Sequence, residues 1–79
     1  MKKDDVEQAR VVQISREPIE LYKILKIENM VNSGGEAKAV IAEGLVRVNG
    51  EIETRKRKKI ISGDVVEFGD EIIRIITRG

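Results

Sequence analysis

The apolar positions of residues 33–50 first recur every three or four residues and then alternate, which predicts a short helix followed by a strand. The helical positions are Ala37, Val40, Ile41 and Leu45. Ser33 stands three residues before Glu36, so we expect Ser33 to cap the helix while Glu36 bonds to the Ser33 amide. The helix should therefore begin at about Gly34, and Gly44 should end it.

Alternating apolar residues after that helix predict a β-hairpin. Val46 and Val48 flank Arg47, and Asn49-Gly50 then supplies two residues that tolerate positive φ. A return strand over residues 51–54 should follow and lead directly into a run of basic residues.

The flanking sequence completes an α+β pattern. Arg10 to Ser15 is rich in β-branched residues and predicts a strand, while Pro18 to Glu28 predicts a first helix with proline in its first turn. The expected buried stripe of this first helix is Leu21, Ile24, Leu25 and Ile27. The aliphatic run Ile72 to Ile76 predicts a strand inside the sheet. We expect two packed helices against a small, mostly antiparallel sheet of about four to five strands.

The size and composition of the chain restrict its chemistry. Its 79 residues suit one small domain over residues 10–79, preceded by a disordered tail over residues 1–9. There is no cysteine or histidine, which removes thiolate nucleophiles, imidazole bases and the usual soft metal ligands. We therefore expect a non-enzymatic protein without metal or cofactor. No apolar stretch matches a membrane span or a signal peptide, so we expect a cytoplasmic protein without membrane contact. We also expect a monomer.

The distribution of charge says more than the net charge of +1. Arg55, Lys56, Arg57, Lys58 and Lys59 form an uninterrupted basic run after the hairpin. Lysines also protect exposed strand edges from pairing, but five consecutive cations exceed what an edge requires and favour a polyanion site. Arg47 on the hairpin and Asn49 at its tip would extend this surface.

A second candidate site lies at the start of the second helix. Ser33, Gly34 and Gly35 place backbone N–H groups there without side-chain bulk, an arrangement that binds phosphate oxygens. Lys38 lies one turn further on, and Lys26 lies at the end of the first helix. The alternative is a glycine-rich helix start with solvated lysines, because Gly-Gly before a helix is a weak motif.

The segments that carry both candidate sites resemble the alpha-L RNA-binding motif, first described in ribosomal protein S-four. The matching residues are Ser33-Gly34-Gly35-Glu36-Ala37-Lys38, Ile41, Gly44, Val46, Val48-Asn49-Gly50 and Gly63-Asp64-Val65-Val66. Much of the family has arginine where this chain has Gly34, so bare backbone replaces a side-chain contact. The GGEAK and ETRKRKK segments are most similar to short, free-standing bacterial members.

The resemblance implies a non-enzymatic protein that binds structured RNA, such as ribosomal RNA or tRNA, with a ribosomal particle as a further possible partner. Contact should be mainly with the phosphate backbone, and Asn49 or Thr54 could contact a ribose or a base edge. The alternative is a protein-interaction adaptor or a ubiquitin-like carrier, since VNGE followed by SGDVVEF also occurs in small sulfur carriers. Such a carrier needs a reactive Gly-Gly carboxyl end, whereas this sequence ends in Thr77-Arg78-Gly79.

Overall fold

A computed structural model describes residues 9–77, in which two helices and seven strands form an α+β domain. The helices are α1 (Leu21–Ile27) and α2 (Gly34–Ala42). The strands are β1 (Arg10–Ile14), β2 (Ile19–Glu20), β3 (Val46–Val48), β4 (Glu51–Ile52), β5 (Lys59–Ile60), β6 (Val65–Phe68) and β7 (Glu71–Thr77). The predicted fold class is confirmed. The predicted tail lies outside the described residues except for Ala9.

Five strands form the main sheet in the order β1-β7-β6-β3-β4. Strand β1 pairs with β7 in parallel, and the other neighbours are antiparallel. Strand β7 therefore lies inside the sheet, as its aliphatic sequence predicts, and its Ile73 and Ile75 are fully buried. Strands β2 and β5 form a separate antiparallel pair in which Glu20 lies opposite Lys59.

The two helices cover one face of the main sheet. The core from the helices is Leu21, Ile24, Leu25, Ala37 and Ile41, and the core from the main sheet is Val12, Val46, Val48, Val66, Ile73 and Ile75. Ile27 and Leu45, both predicted to be buried, are 62% and 52% exposed. Ile27 lies beside the stripe that Leu21, Ile24 and Leu25 begin, and α2 has ended before Leu45, so helical spacing no longer applies there.

The first helix begins three residues later than predicted. Pro18 precedes the helix rather than opening it, because Ile19 and Glu20 pair with β5 as a strand. The N-cap residue Glu20 makes no side-chain capping bond. The backbone N–H groups of Leu21 and Tyr22 instead donate to carbonyl groups of the segment between β4 and β5. A partner 35 or so residues away in sequence therefore fixes the start of α1.

The second helix and the hairpin follow the sequence signals closely. Ser33 Oγ accepts from the Glu36 amide at 3.1 Å, as predicted. Glu36 Oε1 accepts from the Asn32 amide at 2.9 Å, so its side chain reaches one residue further back than the capping box predicts. Asn49 and Gly50 have positive φ values of 54° and 87°, which confirms the tight turn.

Candidate nucleic-acid interface

The basic run Arg55–Lys59, called the basic loop below, is attached to the start of α1. The Leu21 amide donates to the Lys58 carbonyl at 2.9 Å, and the Tyr22 amide donates to the Lys56 carbonyl at 3.1 Å. Two backbone carbonyls thus replace the missing side-chain cap of α1. The loop has a defined position although most of its side chains are exposed.

The position of these cations is electrostatically unfavourable within the protein itself. A helix carries partial positive charge at its amino end, where basic side chains are destabilising rather than stabilising. Lys56, Arg57 and Lys59 are exposed there, and Lys58 is half-buried. Arg55 pairs with Glu53, and Lys59 lies opposite Glu20. No carboxylate lies within 4.0 Å of the Lys56 or Arg57 cation in residues 9–77, so the stability of the fold does not explain the charge of these two.

Arg55 differs from the rest of the loop because a carboxylate already binds it. Its Nε donates to Glu53 Oε2 at 2.9 Å, its Nη2 donates to Glu53 Oε1 at 3.1 Å, and the Arg55 backbone amide also bonds to Glu53. Hydrogen bonding from Arg55 lowers the pKa of Glu53 to about 2. The Glu53 carboxylate is therefore ionised at neutral pH and compensates the Arg55 charge.

The start of α2 presents free backbone donors. The Gly34 and Gly35 amides have no acceptor within residues 9–77, whereas the next two amides bond to Ser33. A Cβ atom at Gly34 would meet nothing within 4 Å, and one at Gly35 would meet only Ser33 Oγ at 3.8 Å. Packing against the described part of the protein does not require these glycines, and the helix start is open to an anion.

Tyr22 connects the start of the basic loop with the second helix. The Tyr22 amide donates to the Lys56 backbone carbonyl, and the Lys38 ammonium lies over the Tyr22 ring, 4.8 Å from the centroid. Lys26 follows one turn later on the same side of α1. The structure thus brings Lys26, Lys38 and the basic loop together around Tyr22.

Two of the other predicted site residues, Arg47 and Asn49, lie in the hairpin and not in this cluster. Arg47 is on the sheet face opposite the helices, because its neighbours Val46 and Val48 point into the core. The Asn49 side chain has a structural role: it donates to Asp64 Oδ1 and accepts from the Val65 amide, both at 2.9 Å. Thr54 is exposed between β4 and the basic loop.

Tyr22 is the residue that sequence reasoning missed. Its apolar ring at the edge of the predicted stripe indicates a core-edge residue, and it is indeed half-buried against the core. No local motif signals its contact with Lys38, because that contact depends on how α1 packs against α2.

Comparison with known proteins identifies the family. A protein-family model described as "S4 domain" matches residues 12–76. The chain belongs to the S4 domain family. The match covers both helices and extends from β1 into β7, including every predicted site residue.

Relatives of this S4 domain include two small bacterial proteins. "Putative RNA-binding protein YbcJ" of Escherichia coli strain K12 is 45% identical over 58 residues, which are 73% of this chain and 83% of that protein. "Probable ribosome maturation protein RlbA" of Bacillus subtilis strain 168 is 41% identical over 60 residues, which are 76% of this chain and 84% of that protein.

A solved structure shows the same fold. The solution structure of E. coli YbcJ, described as an αL motif involved in RNA binding, matches with a TM-score of 0.67 and 38% identity. The match covers 87% of this chain and 89% of YbcJ. The alpha-L fold implied by the sequence resemblance is therefore confirmed for this S4 domain.

Three further properties of the described residues of this S4 domain concern a metal site, buried polar groups and a membrane-spanning helix. Between residues 9 and 77 there is no group of three or more His, Cys, Asp or Glu side chains that could hold a metal ion. No polar or charged residue is buried in that range. None of the helices described has the length and apolar content to cross a membrane.

Proposed function

We propose that this S4 domain is a non-enzymatic RNA-binding protein that grips the phosphate backbone of structured RNA. The carrying observation is that the Tyr22 ring contacts the Lys38 ammonium while the Tyr22 amide binds the Lys56 backbone carbonyl, which connects α2 to the backbone of the basic loop. Free amides and uncompensated cations then lie on one surface, which suits phosphate groups. The names given to YbcJ and RlbA support RNA as the polyanion.

Phosphates rather than bases are the proposed point of contact. The aromatic residues of the chain are Tyr22 and Phe68, and both are half-buried against the core. Single-stranded bases are usually held by stacking on exposed aromatic rings, which this surface lacks within the described residues. A-form RNA instead presents phosphates and 2′-hydroxyl groups along its helices. Shape and backbone should therefore dominate recognition.

The proposed surface has a centre and a margin. Its centre is Lys26, Ser33, Gly34, Gly35, Lys38, Lys56, Arg57, Lys58 and Lys59. Arg55 adds little net charge while Glu53 binds it. Arg47, Asn49 and Thr54 remain predictions from the sequence. Arg47 lies on the opposite face of the sheet and Asn49 binds Asp64, so we expect smaller effects from these two.

The biological partner we propose is ribosomal RNA, within a ribosomal particle in the cytoplasm. The basis is the name of RlbA, which associates that relative with ribosome maturation. A tRNA is the second candidate, because it also offers compact A-form helices. The adaptor and carrier alternatives are not favoured, since the family and its solved relative point to RNA.

A salt titration tests the function directly. Binding of the protein to a structured RNA hairpin is measured by fluorescence anisotropy, with a DNA duplex of equal length and charge as competitor. If four or five phosphates are neutralised, the log–log slope of affinity against salt is about −3 to −4. Preference for the hairpin is expected. Equal affinity for both nucleic acids would mean a general electrostatic patch and would refute RNA recognition.

A further inference from the structure

The contact between Lys38 and Tyr22 differs from the other close contacts that the cations make. The Lys38 ammonium lies 4.8 Å from the ring centroid, well within the range of a cation–π interaction. Both side chains are half-buried, so the contact is partly shielded from water. The ring therefore limits the conformations that the long Lys38 side chain can adopt.

Lys38 keeps its full positive charge in this arrangement. Within residues 9–77, no carboxylate lies within 4.0 Å of the Lys38 ammonium. Arg55 is also held in place, but by Glu53, whose negative charge cancels its own. An aromatic ring positions a cation without neutralising it, so an incoming phosphate meets a fixed and uncompensated charge.

Lys23 provides a comparison on the same ring. Its ammonium lies 6.0 Å from the Tyr22 centroid, at the limit of the interaction, and 3.7 Å from Glu20 Oε1. Glu20 thus compensates Lys23, whereas Lys38 has only the ring. Of these two lysines, Lys38 is the one prepared for an anion.

We propose that Tyr22 is a positioning residue for RNA binding, which holds the Lys38 ammonium over its ring so that Lys38 is ordered before a phosphate arrives. This rests on the proposed function. Ordering a lysine side chain on binding costs conformational entropy, and a residue that orders it beforehand reduces that cost. Tyr22 itself does not contact the phosphate. Its backbone amide also binds the Lys56 carbonyl, so the same residue contacts the backbone of the basic loop.

A double-mutant cycle with the RNA hairpin tests the role of Tyr22. Tyr22→Leu keeps an apolar side chain but removes the ring, and it should weaken binding about two- to fivefold with an unchanged salt slope. Tyr22→Phe keeps the ring and should bind like the wild type. Lys38→Gln should weaken binding and reduce the slope by about 0.7–0.9, because one phosphate contact is lost.

The combined variants decide between positioning and a general structural effect. In the Lys38→Gln variant, adding Tyr22→Leu should cause no further loss of affinity for the hairpin. In the Lys23→Gln variant, adding Tyr22→Leu should cause the same loss of affinity as in the wild type. Equal losses in all backgrounds would overturn the proposal, because Tyr22 would then act without Lys38. Tighter binding by Tyr22→Leu would also overturn it, since the ring would then compete with the phosphate for Lys38.

Proton–carbon NMR of the lysine side chains gives a second measurement that does not depend on the Leu variant folding. The ring current of Tyr22 should shift the Lys38 ε-methylene protons upfield in the free wild-type protein and in Tyr22→Phe. The shift should persist when the RNA hairpin is added. Its absence in the free protein, or its loss on RNA binding, would overturn the proposal. A wild type that shows the shift but no RNA binding would refute the proposed function, and with it the role of Tyr22 in binding.

Discussion

Neutralising two exposed cations of the basic loop is the sharpest test of the proposed surface. The variant is Lys56→Gln with Arg57→Gln. Each phosphate contact contributes about 0.7–0.9 to the log–log salt slope, so two contacts should remove roughly 1.4–1.8 from it. At 0.1 M salt this corresponds to an affinity about 25- to 60-fold lower, or about 2 kcal/mol.

The fold should survive this change. The loop is held to α1 by the carbonyl groups of Lys56 and Lys58, which glutamine at position 56 retains. Removing positive charge beside the amino end of α1 should leave the stability unchanged or slightly raise it. Circular dichroism melts of the variant and the wild type check this before binding is measured.

A matched control removes two cations from the opposite side of the sheet. Arg47 and Arg74 are exposed and lie on the face that the helices do not cover, so Arg47→Gln with Arg74→Gln changes the net charge by the same amount. Because Arg47 is predicted to have a smaller effect than the basic loop, anisotropy titrations between 50 and 300 mM salt should show a smaller loss of slope for this control than for Lys56→Gln with Arg57→Gln. If both double variants change affinity and slope equally, binding follows net charge alone and the proposed surface is wrong.

Four further changes test the second helix, the Glu53 pair and the core. Gly35→Glu should weaken hairpin binding because its carboxylate repels phosphate from the start of α2. Gly35→Gln has a side chain of equal size and should bind nearly as well as the wild type. If the two variants have equal affinities for the hairpin, this helix end is not part of the surface. Ser33→Ala removes the side chain that caps the Glu36 amide, so it should lower the free energy of unfolding by about 1 kcal/mol in urea titrations. A change near zero would contradict the capping role. The pKa of Glu53 is about 2 in the folded state against an ordinary 4.5, so its contribution to stability is present above pH 4.5 and is lost as the pH falls from there to about 2. The stability difference between wild type and Glu53→Gln should therefore be present at pH 6 and should largely disappear near pH 2. A pH-independent difference would contradict the ion pair. Ile73→Ala truncates a fully buried side chain in the sheet interior and should lower the free energy of unfolding by about 2–5 kcal/mol in the same urea assay. A decrease below 1 kcal/mol would mean that the residues around Ile73 are not closely packed.

Local signals predicted much of this fold. The Ser33 cap, the Asn49-Gly50 turn and the internal position of β7 all follow from a few neighbouring residues, because capping, positive φ and continuous aliphatic sequence are short-range properties. The predicted helix start at Pro18 is wrong because a long-range contact decides the structure there. Proline is a good first residue of a helix in isolation, but pairing of Ile19 and Glu20 with β5 overrides that local preference.

The sequence by itself determined the class of the protein, its resemblance to the alpha-L family and two candidate phosphate sites, since these depend on residue type and spacing along the chain. Tertiary structure alone decided how the sites relate. Packing of α1 against α2 places Lys38 over the Tyr22 ring, and the backbone of the basic loop caps α1 through Tyr22. It also shows that Asn49 binds Asp64, 15 positions further along the chain, which no charge count reveals. Contacts between residues 15 or more positions apart depend on the whole fold, and the surface that we propose for RNA is made by such contacts.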